Sequence, residues 1–391
     1  MISVEEALSN IFALCAPLEE ETTPLIQAAG RILARPVAAL RDQPPFAAAA
    51  MDGYAVGDAN PAPGARYRVI GEAAAGHRFG GAIGPGEAVR IFTGAPVPDG
   101  GQHVVIQEDI TRTGDEITLL ETLGDGPNIR PPGNDFARGA ELPGPRRLSP
   151  SDIALLASMN IPHVPVIRRP VVAIIATGDE LCMPGEIPGP DQIIASNSFG
   201  LKAMVEAEGG LARLLPIARD NPGSLRLALE LAADADLIVT IGGASVGDHD
   251  IVGQVAADMG LARAFYKVAI RPGKPLMAGR LGGAVMIGLP GNPVSAMVCG
   301  QVFLLPALRV LMGLAAAPAP QKTARLARDI GPNGPRAHYM RAELIGDEIA
   351  PFQRQDSALL SVLSGANALL LRAPNDPARK IGEVMPYLPF G

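Results

Sequence analysis

The feature that most constrains this chain is the alternation of short apolar runs with helical patterns between residues 171 and about 312. The apolar runs cover 171–176, 214–218, 237–241, 265–270 and 284–287, and the helical patterns cover 197–208, 225–233, 251–259 and a stretch that begins at Val294. Such alternation is typical of a parallel sheet with helices on both faces. We therefore expect a doubly wound, mostly parallel α/β domain, with ligands bound beyond the carboxyl ends of its strands.

The segments on either side of this region have different patterns. Ser3 fits a helix cap before an amphipathic helix, and Ser149 fits a cap before a helix that runs to about Met159. From about 45 to 147, short apolar runs punctuated by Gly and Pro predict an all-β domain. After the Ala/Pro-rich stretch 315–320, about seventy residues of short alternating runs predict a small C-terminal β domain.

Composition and charge exclude several classes of protein. The 391 residues include 33 Lys and Arg against 40 Asp and Glu, a balance of −7, so nucleic acid is not an expected partner. The first thirty residues contain no Lys or Arg, unlike a signal peptide, and we expect a cytoplasmic protein. The uncharged stretch 281–308 is split near Pro290 into a strand and a helix of about a dozen apolar residues, so no membrane span is expected. The cysteines and histidines show no zinc-site spacing.

Polar loops follow the predicted strands of the α/β region, where the architecture places a site. These loops are 177–180, 220–221, 242–250 and 290–293. Glycine-rich turns present backbone N–H groups to anions, and carboxylates bind hard cations such as Mg²⁺. Together they indicate a phosphate-bearing ligand with a metal ion, although any one loop taken alone is equally well an ordinary turn or cap.

Arg271 and Lys274 add two cations that suit a phosphate or an oxyanion, the alternative being a solvated turn. Among common catalytic motifs, the sequence has no Walker phosphate loop and no dinucleotide-binding Gly-x-Gly-x-x-Gly after a strand. These absences disfavour simple NTPase and NAD-dependent functions.

A set of short motifs runs in order along nearly the whole chain. The set is Met-Asp-Gly-Tyr-Ala at 51–55, Thr-Gly-Ala-Pro at 93–96, Gly-x-Asp at 133–135, Thr-Gly-Asp-Glu-Leu at 177–181, Ser-Asn-Ser at 196–198, Gly-Gly-x-Ser-Val-Gly-Asp-x-Asp at 242–250, Pro-Gly-Lys-Pro at 272–275 and Gly-Leu-Pro-Gly-Asn-Pro at 288–293. In these motifs the chain resembles the molybdopterin molybdenumtransferase family, which includes the bacterial MoeA proteins and the C-terminal domain of gephyrin.

The resemblance implies an enzyme that inserts molybdate into adenylylated molybdopterin, releases AMP and produces molybdenum cofactor. It further implies Mg²⁺ as cofactor and a homodimer, with other cofactor-biosynthesis proteins as possible partners. The family fold implies an elongated domain formed by 1–45 and 147–170, a β domain at 46–146, a molybdopterin-binding α/β domain at 171–314 and a C-terminal β domain at 321–391.

The resemblance also implies roles for individual residues. The implied catalytic residues are Asp52, Thr93, Asp135, Glu180, Asp220 and Asp250, of which Glu180 and Asp250 are the implied metal ligands. The implied substrate-binding residues are Thr177, Gly178, Ser196, Asn197, Gly242, Gly243, Ser245, Asp248, Arg271, Lys274, Pro290, Pro293, Arg336 and Ser357. Among the substrate-binding residues, Arg336 and Ser357 are the candidates for contacting the oxyanion.

Three residues depart from the family pattern: Ala49 and Ile241 replace hydroxyl residues, and Gln102 replaces an Asp. An alternative interpretation therefore stays open, in which the chain is a paralogue with altered activity that inserts tungstate or acts as a cofactor carrier or scaffold. The sequence does not distinguish a preference for tungstate from a preference for molybdate, because the two oxyanions have nearly the same size and charge. A pterin adenylyltransferase is a second rival, but its fold resembles only the segment 171–312.

Overall fold

The computed structural model describes residues 1–243 and 251–391, which form two compact units. The larger unit contains Met1–Glu21, Gly30–Ala34 and Val166–Gly391, and the smaller contains Thr22–Ala29 and Arg35–Pro165. The finer four-part division expected from the sequence stays a prediction.

A six-stranded sheet lies at the centre of the larger unit. Its strands are, in spatial order, Leu211–Leu214, Val171–Ala176, Leu237–Ile241, Ala284–Leu289, Met277–Leu281 and Ala262–Tyr266. The first four run parallel, and the last two pairings are antiparallel, so that only Met277–Leu281 runs against the other five strands. This confirms the mostly parallel α/β architecture. Alternate residues of one strand face opposite cores: Val172 and Ile174 pack on one side, and Ala173 and Ile175 on the other.

Three details of this sheet differ from the sequence prediction. The strand expected at 214–218 lies at Leu211–Leu214, because Pro216 has no N–H for the ladder. The run at 265–270 contains the end of Ala262–Tyr266 and the start of a separate two-residue strand, Ile270–Arg271. The strand Met277–Leu281 was not expected from the sequence, since Pro275 and the nearby glycines favour a turn.

Helices cover both faces of the sheet. They are Val4–Leu14, Asn197–Glu208, Pro222–Leu231, Ile251–Asp258 and a continuous helix made of Pro293–Cys299, the π-helical turn Gly300–Leu304 and Leu305–Leu311. The Ser3 Oγ accepts a hydrogen bond from the Glu6 N–H at 3.1 Å and caps the first helix as predicted. That helix buries Val4, Leu8 and Ile11 in the core shared with the sheet.

The helix Pro293–Leu311 has 19 residues, more than the dozen apolar residues expected, and is long and apolar enough to cross a membrane. However, 83% of its apolar window is buried inside the protein. A core helix of a folded domain has the same length and composition, so this finding is weak evidence for a membrane span.

The C-terminal part of the larger unit is a small β-barrel, which confirms the expected β domain. Its five strands close in the order Ala337–Ile345, Glu348–Pro351, Lys322–Leu326, Val384–Pro389 and Ala368–Arg372. The strand Ile270–Arg271 adds to the barrel beside Ala337 and His338, and a short helix covers Leu360–Ser364.

The smaller unit contains a second six-stranded sheet, so the expected β domain is also confirmed. In spatial order the strands are His103–Ile106, Gly53–Val56, Glu87–Ile91, Arg66–Ala73, Glu116–Leu119 and Ile110–Thr113. The helix Pro150–Ser158 begins as expected at Ser149, which forms a reciprocal capping box with Asp152.

Short elements complete the described chain. They are the strands Glu20–Pro24, Ile32–Leu33, Val37–Ala38, Ala48–Ala49, Ile129–Arg130, Glu141–Leu142, Arg146–Arg147, His163–Ile167, Leu181–Cys182 and Ile193–Ile194, and the 3-10 turns Leu25–Gln27 and Gln107–Asp109.

Asp236 ties together the amino ends of the central strands. Its carboxylate accepts two hydrogen bonds from the Arg168 guanidinium, at 2.7 and 2.6 Å, and one from the Val171 N–H at 2.8 Å. The side chain of Asp236 is only 13% exposed, so these bonds replace water that the carboxylate has lost. Removing it would leave the partly buried Val171 N–H without its acceptor and the Arg168 guanidinium with the exposed Glu19 as its remaining carboxylate partner.

We expect Asp236→Ala to lower the free energy of unfolding by about 2–4 kcal/mol, the usual cost of breaking a bidentate, poorly hydrated ion pair. The matched control is Asp234→Ala, which removes the 70%-exposed carboxylate that pairs with Arg213 and should cost less than about 1 kcal/mol. Urea denaturation followed by circular dichroism measures both values. Equal losses would contradict the structural role of Asp236.

His338 gives the barrel a pH dependence of defined sign. Burial lowers the pKa of His338 from its ordinary value of 6.5 to about 4, helped by the charges of Arg271, Arg372, Arg341 and Arg336. The His338 ring therefore becomes protonated near pH 6.5 in the unfolded chain but only near pH 4 in the folded chain. Stability contributed by the neutral ring is complete above pH 6.5 and is lost as the pH falls toward 4.

We expect the wild-type protein to lose about 2 kcal/mol of unfolding free energy through His338 alone between pH 7 and pH 5. His338→Gln cannot titrate, so its loss over the same interval should be smaller by that amount. Denaturant titrations of both proteins at the two pH values measure the difference. Identical pH dependence in the variant would contradict the assignment.

Candidate active site

A cavity of about 1240 Å³ lies in the larger unit, at the carboxyl ends of the parallel strands. Loops that follow all four parallel strands meet there with the Arg271–Pro275 turn and a barrel segment. The predicted residues that line it are Thr177, Gly178, Glu180, Ser196, Asn197, Asp220, Gly242, Gly243, Arg271, Lys274, Pro290, Pro293, Arg336 and Ser357. The fold thus brings together residues from positions 177 to 357 of the chain.

The loops after the central strands approach each other backbone to backbone. The Thr177 N–H and Oγ1 both donate to the Ile241 carbonyl, at 3.0 and 3.1 Å. Gly242 has a φ of +87°, and a Cβ there would lie 2.9 Å from the Thr177 carbonyl oxygen. Only glycine fits both this conformation and this contact, so the Gly-Gly pair fixes the floor of the cavity.

The helix Asn197–Glu208 begins at the cavity and is tied to the opposite loop. The Asn197 Nδ2 donates to the Gly291 carbonyl at 2.6 Å, and the Ser196 hydroxyl donates to Asn197 Oδ1 at 3.3 Å. The second helix at this edge begins with Pro293, where a missing N–H costs nothing. Both helices therefore present their amino ends, with their partial positive charge, beside the cavity.

Three cationic side chains line the cavity: Arg271, Lys274 and Arg336. Within residues 1–243 and 251–391, no carboxylate lies within salt-bridge distance of any of them. The Arg336 guanidinium donates to the Ile270 carbonyl at 3.3 Å, which holds it beside the Arg271 strand. Cations without a carboxylate partner among the described residues are available to bind an anion.

The turn that holds Arg271 and Lys274 packs directly on a buried thiol. Gly273 has a φ of +116°, and a Cβ there would lie 2.3 Å from the Cys299 Sγ. Cys299 is completely buried, and burial raises the pKa of its thiol. Cys299 therefore packs here as a small buried hydrophobe.

Carboxylates line the cavity as well: Glu180, Asp220 and Asp356. The Asp220 N–H donates to Asp179 Oδ1 at 3.2 Å, which fixes the backbone of its loop. Within the described part of the chain, no three His, Cys, Asp or Glu side chains are grouped as a metal site. Mg²⁺ commonly uses one or two protein carboxylates together with waters and substrate phosphates, and the residues present fit that mode of binding.

The barrel contributes the segment Gln355, Asp356, Ser357 and Ala358 to the cavity wall. The Ser357 carbonyl accepts a hydrogen bond from the Val294 N–H at 3.0 Å. Sequence reasoning identified Ser357 but missed Gln355 and Asp356. It also assigned no role to the apolar residues Leu181, Ile193 and Ile194, of which only Leu181 lies in a quoted motif.

Asp52, Thr93 and Asp135 belong to the smaller unit and are not among the residues that line this cavity. Asp52 Oδ1 accepts hydrogen bonds from the Thr93 N–H and Oγ1, both at 2.7 Å. These bonds lower the pKa of Asp52 below its ordinary value, so the carboxylate is ionised at neutral pH. Two of the implied catalytic residues, Asp52 and Thr93, are thus hydrogen-bonded to each other. Asp135 lies in an exposed turn.

Three predicted residues, Ser245, Asp248 and Asp250, lie outside the residues that the structure describes. Their roles rest on the sequence motif alone.

The three departures from the family pattern have distinct surroundings. Ala49 is fully buried in a short strand, Gln102 is exposed in a loop, and Ile241 is buried yet contributes to the cavity wall. The Ile241 side chain belongs to the hydrophobic core of the sheet and cannot donate a hydrogen bond.

Known protein families match almost the whole chain. Residues 2–160 match the MoeA N-terminal region (domain I and II), 173–310 a probable molybdopterin binding domain, and 323–390 the MoeA C-terminal region (domain IV). A molybdopterin molybdenumtransferase of Nostoc is 38% identical over 81% of this chain and 76% of its own length. Molybdopterin molybdenumtransferase 2 of Mycobacterium tuberculosis is 35% identical over 95% of both chains.

A solved structure gives the same result for the fold. The molybdopterin biosynthesis MoeA protein of Pyrococcus horikoshii superposes with a TM-score of 0.87 at 27% identity and covers 100% of both chains. Extended sequence identity, three matching domain families and a shared fold agree, and the chain therefore belongs to the MoeA family of molybdopterin molybdenumtransferases.

Proposed function

We propose that this chain inserts molybdate into adenylylated molybdopterin and releases AMP, which yields molybdenum cofactor. The observation that supports this most strongly is one cavity that combines three cations without described carboxylate partners and a separate set of carboxylates. Both substrates are anions, and the reaction cleaves a phosphoanhydride, so a site of mixed charge suits it.

The cations would bind and orient the anionic groups. Lys274 is a compact charge suited to an oxyanion, while the planar guanidinium groups of Arg271 and Arg336 can donate two parallel hydrogen bonds to oxygen atoms. Ser357, together with Thr177, Ser196 and Asn197, adds uncharged polar groups. Held by these groups, molybdate and the pterin would meet in a fixed geometry, which lowers the entropic cost of reaction.

Glu180 is the described residue that we propose as a Mg²⁺ ligand, with Asp250 as the second on the motif alone. When bound, Mg²⁺ would neutralise charge on the adenylyl phosphates. Asp220 would hold water or polar substrate groups at the same end of the cavity. We further propose Asp52, Thr93 and Asp135 as a second catalytic group in the smaller unit, where Asp52 is kept ionised by its two bonds from Thr93.

We also propose that the enzyme is a cytoplasmic homodimer with a small-molecule pterin substrate. Light scattering after size-exclusion chromatography should then give about twice the 40.4 kDa chain mass. Transfer of the product to other cofactor-biosynthesis proteins or acceptor enzymes would follow release.

Tungstate insertion is the second candidate activity, and a specific observation supports testing it. The family resemblance implies a hydroxyl residue at position 241, and Ile241 cannot donate a hydrogen bond in its place, so oxyanion contacts would rest more heavily on the cationic side chains. Charge alone does not separate molybdate from tungstate.

The deciding experiment incubates the purified protein with adenylylated molybdopterin, Mg²⁺ and either oxyanion, and measures AMP. A transferase releases AMP only when oxyanion is present. A pterin adenylyltransferase would instead make the adenylylated substrate from ATP, and a carrier or scaffold would do neither.

Lys274→Ala should raise the KM for molybdate about tenfold or more, because the side chain supplies one of the three cationic groups that line the cavity. A charge-assisted hydrogen bond is worth about 1.5–3 kcal/mol. AMP release as a function of molybdate concentration measures the change.

The matched control is Lys322→Ala, which removes an exposed lysine from a barrel strand that does not line the cavity. It should leave the KM for molybdate unchanged. An unchanged KM in Lys274→Ala as well would place Lys274 in an ordinary solvated turn.

A further inference from the structure

Arg341 is a buried charge outside the cavity that the proposed chemistry does not use. It lies in the barrel strand Ala337–Ile345 and is 1% exposed, the largest of the fully buried side chains. In the described chain it forms no salt bridge. Its guanidinium donates instead to the Asp356 carbonyl at 2.8 Å, the Leu359 carbonyl at 3.4 Å and Gln355 Oε1 at 3.3 Å.

Gln355 makes the reciprocal contacts. Its Oε1 also accepts from the Arg341 backbone N–H at 3.1 Å, and its Nε2 donates to the Arg341 carbonyl at 2.9 Å and the Phe352 carbonyl at 2.8 Å. The amide therefore uses both its donors and its acceptor. No other side chain of similar length can make this set of bonds, since a carboxylate lacks the two donors.

The segment held in this way is the cavity wall itself. Residues 355–358 line the cavity, whereas Arg341 does not. On its other side the segment is fixed by the bond from the Val294 N–H to the Ser357 carbonyl. A turn in which the Ala358 N–H donates to Asp356 Oδ1 at 2.8 Å sets its local shape. Movement of Arg341 or Gln355 would therefore move Ser357 relative to the helix at Val294.

Stability alone does not account for this arrangement. Burying a guanidinium without a carboxylate partner carries a desolvation cost, and an apolar side chain of similar volume often serves a core as well or better. All the side-chain bonds of Arg341 go to one short segment, and that segment forms part of a polar cavity. The bonds therefore fix a shape that the cavity needs.

We propose that Arg341 and Gln355 are positioning residues for oxyanion binding, which they serve by holding the segment 355–358 in place. The inference rests on the proposed function for the identity of the oxyanion. It predicts that loosening the segment weakens molybdate binding while the pterin substrate is bound as before.

The test uses the full-length variants Arg341→Lys, which keeps the charge but loses the planar fork, and Gln355→Met, which keeps the length but loses the amide. We expect each to raise the molybdate Kd by about tenfold, measured by equilibrium dialysis, and to raise the KM for molybdate in AMP release by a similar factor. The affinity for adenylylated molybdopterin without molybdate should change less than twofold. If Arg341→Lys does not fold, Gln355→Met alone decides.

The matched control is Arg372→Lys. Arg372 is a second buried arginine of the barrel, 3% exposed, which pairs with Asp376 and donates to the Pro377 carbonyl at 2.7 Å, and neither acceptor lines the cavity. This variant should lower the unfolding midpoint and leave the molybdate Kd unchanged.

The outcomes separate the two proposals. A wild-type protein that binds molybdate but releases no AMP would overturn the proposed reaction, and the dialysis series would still test the positioning role. An unchanged molybdate Kd in Gln355→Met, an equal rise in Arg372→Lys, or no molybdate binding by the wild-type protein would overturn the positioning role.

Discussion

The backbone contact between the loops after the central strands is the constraint on which the rest of the site depends. Thr177 and Gly242 approach so closely that a Cβ at residue 242 would be 2.9 Å from a carbonyl oxygen, and Gly291 lies against the same point. Because backbone atoms set this distance, side-chain motion cannot change it. The helices that begin at Asn197 and Pro293 are placed by these loops, and so are the polar groups at their amino ends.

The charges of the cavity come from several parts of the fold. The cations come from the Arg271–Lys274 turn and from Arg336 at the start of a barrel strand, whereas Glu180 and Asp220 come from loops of the central sheet and Asp356 from a barrel segment. In the described part of the chain, none of these carboxylates forms a salt bridge with the three cations. Both an anion site and a cation site can therefore stay open in one cavity.

The parts of the site that could be predicted from sequence are those controlled by local pattern. Strand-end loops such as 177–180 and 290–293 converge because parallel strands share one carboxyl edge, and this rule needs only the alternation of strands and helices. Arg341 and Gln355 could not be found in this way, since their partners are backbone carbonyls brought near by closure of the barrel. Met277–Leu281 was missed because Gly279 and the preceding Pro275 favour a turn, and pairing with both Ala284–Leu289 and Ala262–Tyr266 makes it a strand.

The contact between Gly273 and Cys299 has a consequence for how the site can be observed. Since the thiol is fully buried beneath the turn that holds Arg271 and Lys274, an alkylating reagent can reach it only when that turn lifts away. The rate of Cys299 alkylation therefore reports how often the chain opens locally at the cationic end of the cavity. An anion that bridges the turn to Arg336 would lower the alkylation rate of Cys299. Occupancy of the site could then be measured at this one thiol, without any catalytic turnover.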